Sequence, residues 1–414
     1  MTPLRPGRRS ARPRPALSRR SRLGLVATNF CLADIGGGLG PYLATWLAGA
    51  AGWDPLAIGS LRLATNVVTL AVSTPAGMLV DRVGRHRRML ACACLCVLAG
   101  SLSLLWFRCF WPVLATQVAV ALGSALSMPA LMALTPGVVG KHGFARQFGW
   151  NQAADHVGNM AAASVIAVLS SSIGDIAPFV VLGALSVGTI LSVFSIPRSA
   201  IDQDRARGHG AAASHDQRGP PPGSVPALLK DRRLLNLLAV ITLFNLGNDQ
   251  LLPLLGQRLA IEGKGDPTTW MAVWILAAQL TMIPMAMIGG HVAGRHGALK
   301  IMLASCVVLA LRAVLAAATS GAQWGLAVEV MDGIGAGMIS VAGPIAVTDL
   351  TYGGGRTQTA IGSLTALGGI AAAVSAIAGG AVASWAGWPA ALAMMALPPI
   401  AAVLLLSRML RREA

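Results

Sequence analysis

The sequence is short of charge. Asp, Glu, Lys and Arg make up 12% of its 414 residues, about half of the roughly 25% in an average soluble domain. So little charge cannot cover a water-facing surface of this size, which excludes a soluble globular fold. Acids are the scarcer sign, 16 against 32 Lys and Arg. Aromatics are 5%, with two Tyr, which argues against a sugar site built from many polar and aromatic contacts. No phosphate-cradling glycine loop of the Walker type is present, which argues against ATP chemistry. The six cysteines, Cys31, Cys92, Cys94, Cys96, Cys109 and Cys306, lie in or beside apolar stretches. The two-residue spacing of Cys92, Cys94 and Cys96 spreads them around a helix, so they read as small buried hydrophobes and not as metal ligands.

What is abundant is apolar length. The chain is 55% hydrophobic with a mean hydropathy of +0.65, and its apolar residues fall in repeated stretches of about 20. The period-two alternation of a membrane β-barrel is missing. The expectation is an all-α membrane protein with twelve transmembrane helices at 23–49, 58–80, 89–107, 112–136, 148–171, 176–197, 234–258, 269–290, 299–319, 322–348, 358–384 and 388–408. The longest polar stretch divides them six and six. The domain reading is a basic head at 1–22, an N-terminal half at 23–197, a linker at 198–233, a C-terminal half at 234–410 and a tail at 411–414.

The net charge of +16 would suit a nucleic acid partner if it were clustered on a soluble surface. Instead, 27 of the 32 Lys and Arg fall in the head and in alternate loops, leaving three on the opposite side and Arg62 and Arg312 within apolar segments. By the positive-inside rule both termini are expected to be cytoplasmic, in a bacterial inner membrane. The head, with eight arginines in 22 residues, is expected to be a disordered cytoplasmic segment rather than a cleaved signal.

The basic turn between the second and third segments reads GMLVDRVGRHRR, residues 77–88. A weaker copy, GHVAGRHGALK at 290–300, occupies the same place in the second half. Gly290, Arg295 and Gly297 match Gly77, Arg82 and Gly84, whereas Gly294 stands where Asp81 stands and Ala298 where Arg85 stands. Arg146 precedes Gly158, and Arg356 precedes Gly368, by the same 12 residues. Internal repeats of this kind accompany six-helix units arranged around a central path.

Gly77, Asp81, Arg82, Gly84 and Arg85 fill a pattern that resembles the signature loop of the major facilitator superfamily. The apolar stretches ATNFCLADIGGGLGPYLATWL and FNLGNDQLLPLLGQ resemble bacterial members of undefined substrate. The resemblance implies a secondary transporter working by alternating access, as a monomer, in a lipid bilayer, with a small-molecule solute and no cofactor. It also implies that these five residues form a conformational latch that holds one state of the cycle. Two departures stand out: Gln117 lies where an Arg often linked to proton coupling is expected, and the fifth segment lacks the Gly-Pro pattern of many antiporters.

Polar residues inside apolar segments are the remaining candidates, because a charge at depth must face protein or water. Asp34, in a glycine-rich first segment, and Asp155 and His156, in the fifth, are candidate proton-coupling groups, since carboxyl and imidazole groups can hold a proton. Asn29, Asn151, Asn159, Asn245 and Asp249 are candidates for the substrate path. Asn151, Asp155 and Asn159 form a stripe at four-residue spacing, as do Asn245, Asp249 and Pro253. Arg312 needs a partner, and Glu329 or Asp332 is expected to supply it as a structural pair. Met282, Met285, Met287 and His291 carry ligands that suit copper, but Met is ordinary filling in apolar helices and no metal site is expected. The functional expectation is a non-enzymatic transporter of a small organic solute, with proton-coupled efflux ahead of proton-coupled uptake of a solute or metal complex. A non-transporting sensor or scaffold is the alternative from another class.

Overall fold

A computed structural model describes residues 19–33, 43, 46–47, 52–53, 55–206, 230–262, 267–352 and 356–413. Among these residues every regular element is helical. The first five helices are α1 (Arg19–Leu32), α2 (Pro55–Val83), α3 (His86–Leu102), α4 (Phe110–Ile173) and α5 (Ala177–Ser195). After residue 230 come α6 (Arg232–Asn248), α7 (Leu251–Glu262), α8 (Pro267–His296), α9 (Ala298–Ala318), α10 (Ala322–Thr351), α11 (Thr357–Ala386), α12 (Trp388–Met394) and α13 (Leu397–Glu413).

Ten stretches among the described residues are long and apolar enough to cross a membrane. They coincide with ten of the twelve expected segments. The first expected segment is described mainly through α1, and the fifth is the C-terminal arm of α4, whose run from Asn151 to Asn159 lowers its apolarity. These helices expose many large apolar side chains, mostly Leu, Val, Ile and Trp, as a lipid-facing helix does.

The helices depart from the expected boundaries in three places, each with a backbone cause. The loop expected at 137–147 is absent: α4 runs from Phe110 to Ile173 and is interrupted only at Gly140, with φ 71° and ψ 178°. That left-handed φ is open to glycine without the clash of a Cβ, so one residue turns the chain where a loop was expected. The segment expected at 234–258 is split between α6 and α7 at Asp249 and Gln250. Pro253 lacks an N–H and crowds the carbonyl four residues back, which is that of Asp249. The last expected segment is split between α12 and α13 at Met395 and Ala396, where Pro398 and Pro399 remove the donors that would have continued the ladder.

The cysteines follow the buried reading only in part. Cys94 and Cys306 are buried, whereas Cys92, Cys96 and Cys109 lie on the outer surface. A two-residue step turns about 200° around a helix, so Cys92 and Cys96 face outward when Cys94 faces in.

Among the described residues, two close helix crossings join elements before residue 198 to elements after residue 230. In the first, α2 packs on α11: a Cβ on Gly77 would overlap the Gln358 carbonyl, and one on Gly362 would overlap the Ser73 carbonyl. In the second, the C-terminal arm of α4 packs on α8: a Cβ on Gly290 would stand 2.8 Å from the Gly149 Cα, and one on Gly149 would stand 2.8 Å from the Ala286 carbonyl oxygen. Both crossings use small residues so that backbones can touch. Gly77 and Gly290 hold matching places in the repeat, so the two crossings are counterparts.

Candidate functional site

Three polar groups bear on the site among the described residues, and each follows from where a backbone donor or a long side chain needs a partner.

The first is at the α2–α11 crossing. Helix α11 starts at Thr357, and its N-cap residue, Arg356, supplies no side-chain acceptor. The first amides of a helix have no partner within it. Asp81, buried at the end of α2, fills that role from another helix. Its Oδ1 accepts the Gln358 amide at 3.1 Å, and its Oδ2 accepts the Thr359 amide at 2.8 Å and the Thr359 hydroxyl at 2.7 Å. A carboxylate at a helix N-terminus gains from these charge-assisted bonds and from the helix dipole. Thr357 in turn accepts from the Thr351 hydroxyl at 2.9 Å, which ties the end of α10 to the start of α11. Gly77 permits the approach that makes the cap possible. Gly84, with φ 65°, turns the chain between α2 and α3. Arg82 and Arg85 are exposed beside it.

The counterpart crossing has no such cap. Gly294 lies where a carboxylate would be needed, and a Cβ there would stand 3.3 Å from the Ala145 Cβ. The facing helix does not start at this point: α4 is already helical again after Gly140. Its amides near Gly149 bond to carbonyls four residues back, so no free donor awaits a carboxylate.

The second group is on the C-terminal arm of α4. Asn151 is fully buried: it donates to the Thr135 hydroxyl at 3.0 Å and accepts from the Gln147 amide at 3.0 Å. It thereby holds the two arms of α4 together across the Gly140 turn. Asp155 and Asn159, both half-buried, are 3.4 Å apart. His156 turns away from that pair, and its Nδ1 lies 2.8 Å from Gln279 Oε1 on α8. The three residues of the expected stripe thus bond within α4, and the link from α4 to α8 is made by His156. At 1.5 Å per residue the His156–Gln279 link lies roughly 10–16 Å along the helices from the Gly149–Gly290 contact.

The third group surrounds Arg312 on α9, buried with its partners. Its Nη2 donates to Glu329 at 2.6 Å, and its Nη1 lies 2.8 Å from Asp332. Nη1 also donates to Asn248 Oδ1 at 2.6 Å, and Nε donates to the Val328 carbonyl at 3.2 Å. One guanidinium thus holds both expected acids on α10 and the last residue of α6. Asn248 is where the helix breaks, so the ion cluster fixes the break. A buried pair with this geometry and further hydrogen bonds to Asn248 and the Val328 carbonyl is the arrangement that survives desolvation.

The other expected residues are placed as follows. Asp34 lies outside the described residues. Asn29 is buried and donates to the Leu25 carbonyl of its own helix at 2.8 Å. Asn245 is half-buried against Gly368 of α11, and Asp249 is exposed at the break. The Asp249 amide still bonds to the Asn245 carbonyl at 2.9 Å and its φ and ψ are helical, so the two residues stay one turn apart and the break lies after them. Sequence reasoning gave no role to Asn248, Gln279, Gln147 or Thr135; a carboxylate at Asp81 suits an Arg partner or a helix start in the other half, but the sequence did not say which helix it caps. Met282 and Met285 pack against Gly337 of α10 as filling. Among the described residues no three His, Cys, Asp or Glu side chains converge to hold a metal ion.

Comparison with known proteins fits this arrangement. The family model described as Major Facilitator Superfamily matches residues 25–351. Two proteins of Mycobacterium tuberculosis, the uncharacterized MFS-type transporters MT2531 of strain CDC 1551 and Rv2456c of strain H37Rv, are each 33% identical over 365 residues, 88% of this chain and 86% of theirs. Among solved structures, the FucP transporter in its outward conformation superposes with a TM-score of 0.72 at 13% identity, over 93% of this chain and 97% of that one. The human organic anion transporter MFSD10 superposes with a TM-score of 0.67 at 16% identity, over 96% of this chain and 100% of that one. The chain is a multi-pass membrane protein and belongs to the Major Facilitator Superfamily of transporters.

Proposed function

We propose that the protein is a secondary active transporter that moves a small organic solute across a bacterial inner membrane by alternating access, with both termini cytoplasmic and two six-helix halves meeting at 198–233. The observation that carries this reading is the Asp81 cap on α11. It joins the two halves at one end, through a few hydrogen bonds that can break and reform, which is what a rocking cycle requires. With the basic ends cytoplasmic, the conformation described is the one closed to the cytoplasm. Gly77, Asp81, Arg82, Gly84 and Arg85 act as the latch of that state, and no counterpart operates at Gly294.

Solute and coupling follow from the polar groups at depth. Asn29, Asn159, Asn245 and Asp249 are assigned to the solute path, and Asn151 to its support. Asp34, Asp155 and His156 are assigned to proton coupling. Arg312, Glu329 and Asp332 hold the helix break in place. Carboxyl groups along the path suit a cationic or amphipathic solute, which favours efflux, with uptake as the second reading. No enzymatic step is assigned.

The test is reconstitution into proteoliposomes with an imposed pH gradient and a broad panel of solutes. Gradient-driven flux that weakens in D34N or D155N supports the reading. Folded protein without solute-dependent flux across the panel would sink it in favour of a sensor or scaffold. Flux with unchanged proton dependence in both variants removes those two residues from coupling.

A further inference from the structure

A cavity of about 400 Å³ opens where α2 turns into α3. It is lined by Gly84, Arg85, His86, Arg87, Arg88, Leu134, Arg198 and Ile201, of which four are arginines and none is an acid. Arg87 is held in a fixed position: its Nη2 donates to the Phe194 carbonyl at 2.9 Å, and its guanidinium lies 4.9 Å from the centroid of the Phe194 ring. Arg198, just beyond the end of α5, is close enough to Arg87 for the two charges to repel.

Two acids near these lining residues in the chain, Asp81 and Asp202, have partners elsewhere. Both oxygens of Asp81 are taken by the start of α11, and Asp202 pairs with Arg205 at 3.0 Å. Topology marking by arginine accounts for basic residues at this end, but not for their convergence on one cavity with no carboxylate among the described side chains that line it. The counterpart cavity in the second set of helices differs on this point. It is lined by Arg233, His296, Lys300 and Arg412 but also contains Asp349. Like charges held together in a half-buried cavity call for an anion with several acceptor oxygens.

A second observation says where that anion comes from. Val187, Leu191 and Phe194 are large, apolar and outward-facing on α5. Their spacing puts them on one helix face, and the stripe ends at the Phe194 ring under Arg87. An apolar track leading to a cationic cavity has the chemistry of a phospholipid, its chain on the stripe and its headgroup phosphate among the arginines.

We propose that this cavity is a binding site for the phosphate of an anionic phospholipid, with Arg87 and Arg198 as its principal contacts. The phosphate chemistry is shared with soluble phosphate, and the commitment to lipid rests on the apolar stripe.

The test uses the full chain in nanodiscs of phosphatidylcholine with a minor fraction of phosphatidylglycerol, and counts the lipids that stay with the protein by native mass spectrometry. Phosphatidylglycerol is expected to be retained over phosphatidylcholine. The R87Q/R198Q variant should weaken that retention on the order of 20-fold, given roughly 1 kcal/mol per basic residue at an anionic surface. R198Q alone, at an exposed position, should weaken it by roughly fivefold on the same scale, and it keeps the test decisive if Arg87 is needed for folding. R108Q, outside the cluster, should leave retention unchanged. Equal retention of the two lipids, or retention indifferent to R198Q and R87Q/R198Q, overturns the proposal. Displacement of phosphatidylglycerol by millimolar inorganic phosphate would overturn the lipid assignment and leave a soluble anion site.

Discussion

Asp81 and Thr359 are joined twice, because Oδ2 of Asp81 accepts both the Thr359 amide at 2.8 Å and the Thr359 hydroxyl at 2.7 Å. The second crossing cannot copy this bond for two reasons. Gly294 has no carboxylate, and α4 offers no helix start there. Adding the carboxylate alone should therefore fail. We expect D81N/G294D to behave as D81N in transport and in conformational population, or worse, since a new charge would face a helix without free amides. Recovery of wild-type behaviour in the double variant would show that the asymmetry has another cause.

The glycine crossings predict a size limit. Gly77→Leu and Gly362→Leu should force α2 and α11 apart, because each new side chain would meet a carbonyl of the other helix. Gly183→Leu, where a Cβ meets open space, should be tolerated. The measurement is the thiol-labelling rate of S73C in a background without the native cysteines. Ser73 is 1% exposed, so labelling should be slow, and should rise at least about tenfold in the two crossing variants if a closed population of kcal/mol scale is lost.

Arg312 should be far harder to remove alone than with its partners. R312L leaves Glu329 and Asp332 buried without their cation, and an uncompensated buried charge costs about 3–5 kcal/mol. Replacing all three by apolar residues of similar volume should recover most of that loss. Thermal unfolding in detergent would show a large drop in Tm for the single variant and a small one for the triple. Equal drops would mean that the cluster acts through packing rather than charge.

Asn151 and His156 lie on one helix but should respond differently. N151A removes two buried bonds and orphans Thr135 and Gln147, at a cost of about 1–3 kcal/mol. That loss should appear in stability, without a change in solute preference. A double-mutant cycle on H156A and Q279A should give a coupling of about 0.5–3 kcal/mol in the conformational equilibrium. Additive effects would remove the link from α4 to α8 as a contributor.

How far the sequence was readable depends on the range of each interaction. The helices were legible because apolar length is a local property, and the Gly77–Arg85 turn because its pattern is contiguous. The pairing of Arg312 was legible as well, since a cation in an apolar segment demands acids and Glu329 and Asp332 were the nearest on a neighbouring helix. That Asp81 could cap a helix start in the other half followed from its type and place, but which helix did not, because the two backbone amides leave no mark in composition and lie 277 and 278 residues away. Asn248 fell off the face shared by Asn245 and Asp249, and its bond to Arg312 on α9 could not be read from the period of its own helix. The expected loop at 137–147 failed for the opposite reason: Gly140 alone turns the chain, and its neighbours stay helical.

The central claim is that the Asp81 cap holds this end of the molecule closed and opens during transport. Spin labels on the ends of α2 and α11, with distances measured by double electron–electron resonance, test it most directly. We predict a dominant short distance in the wild type. In D81N the long-distance population should grow by about 5–150-fold relative to the short one, the equivalent of 1–3 kcal/mol. A distance distribution unchanged by D81N would contradict the account.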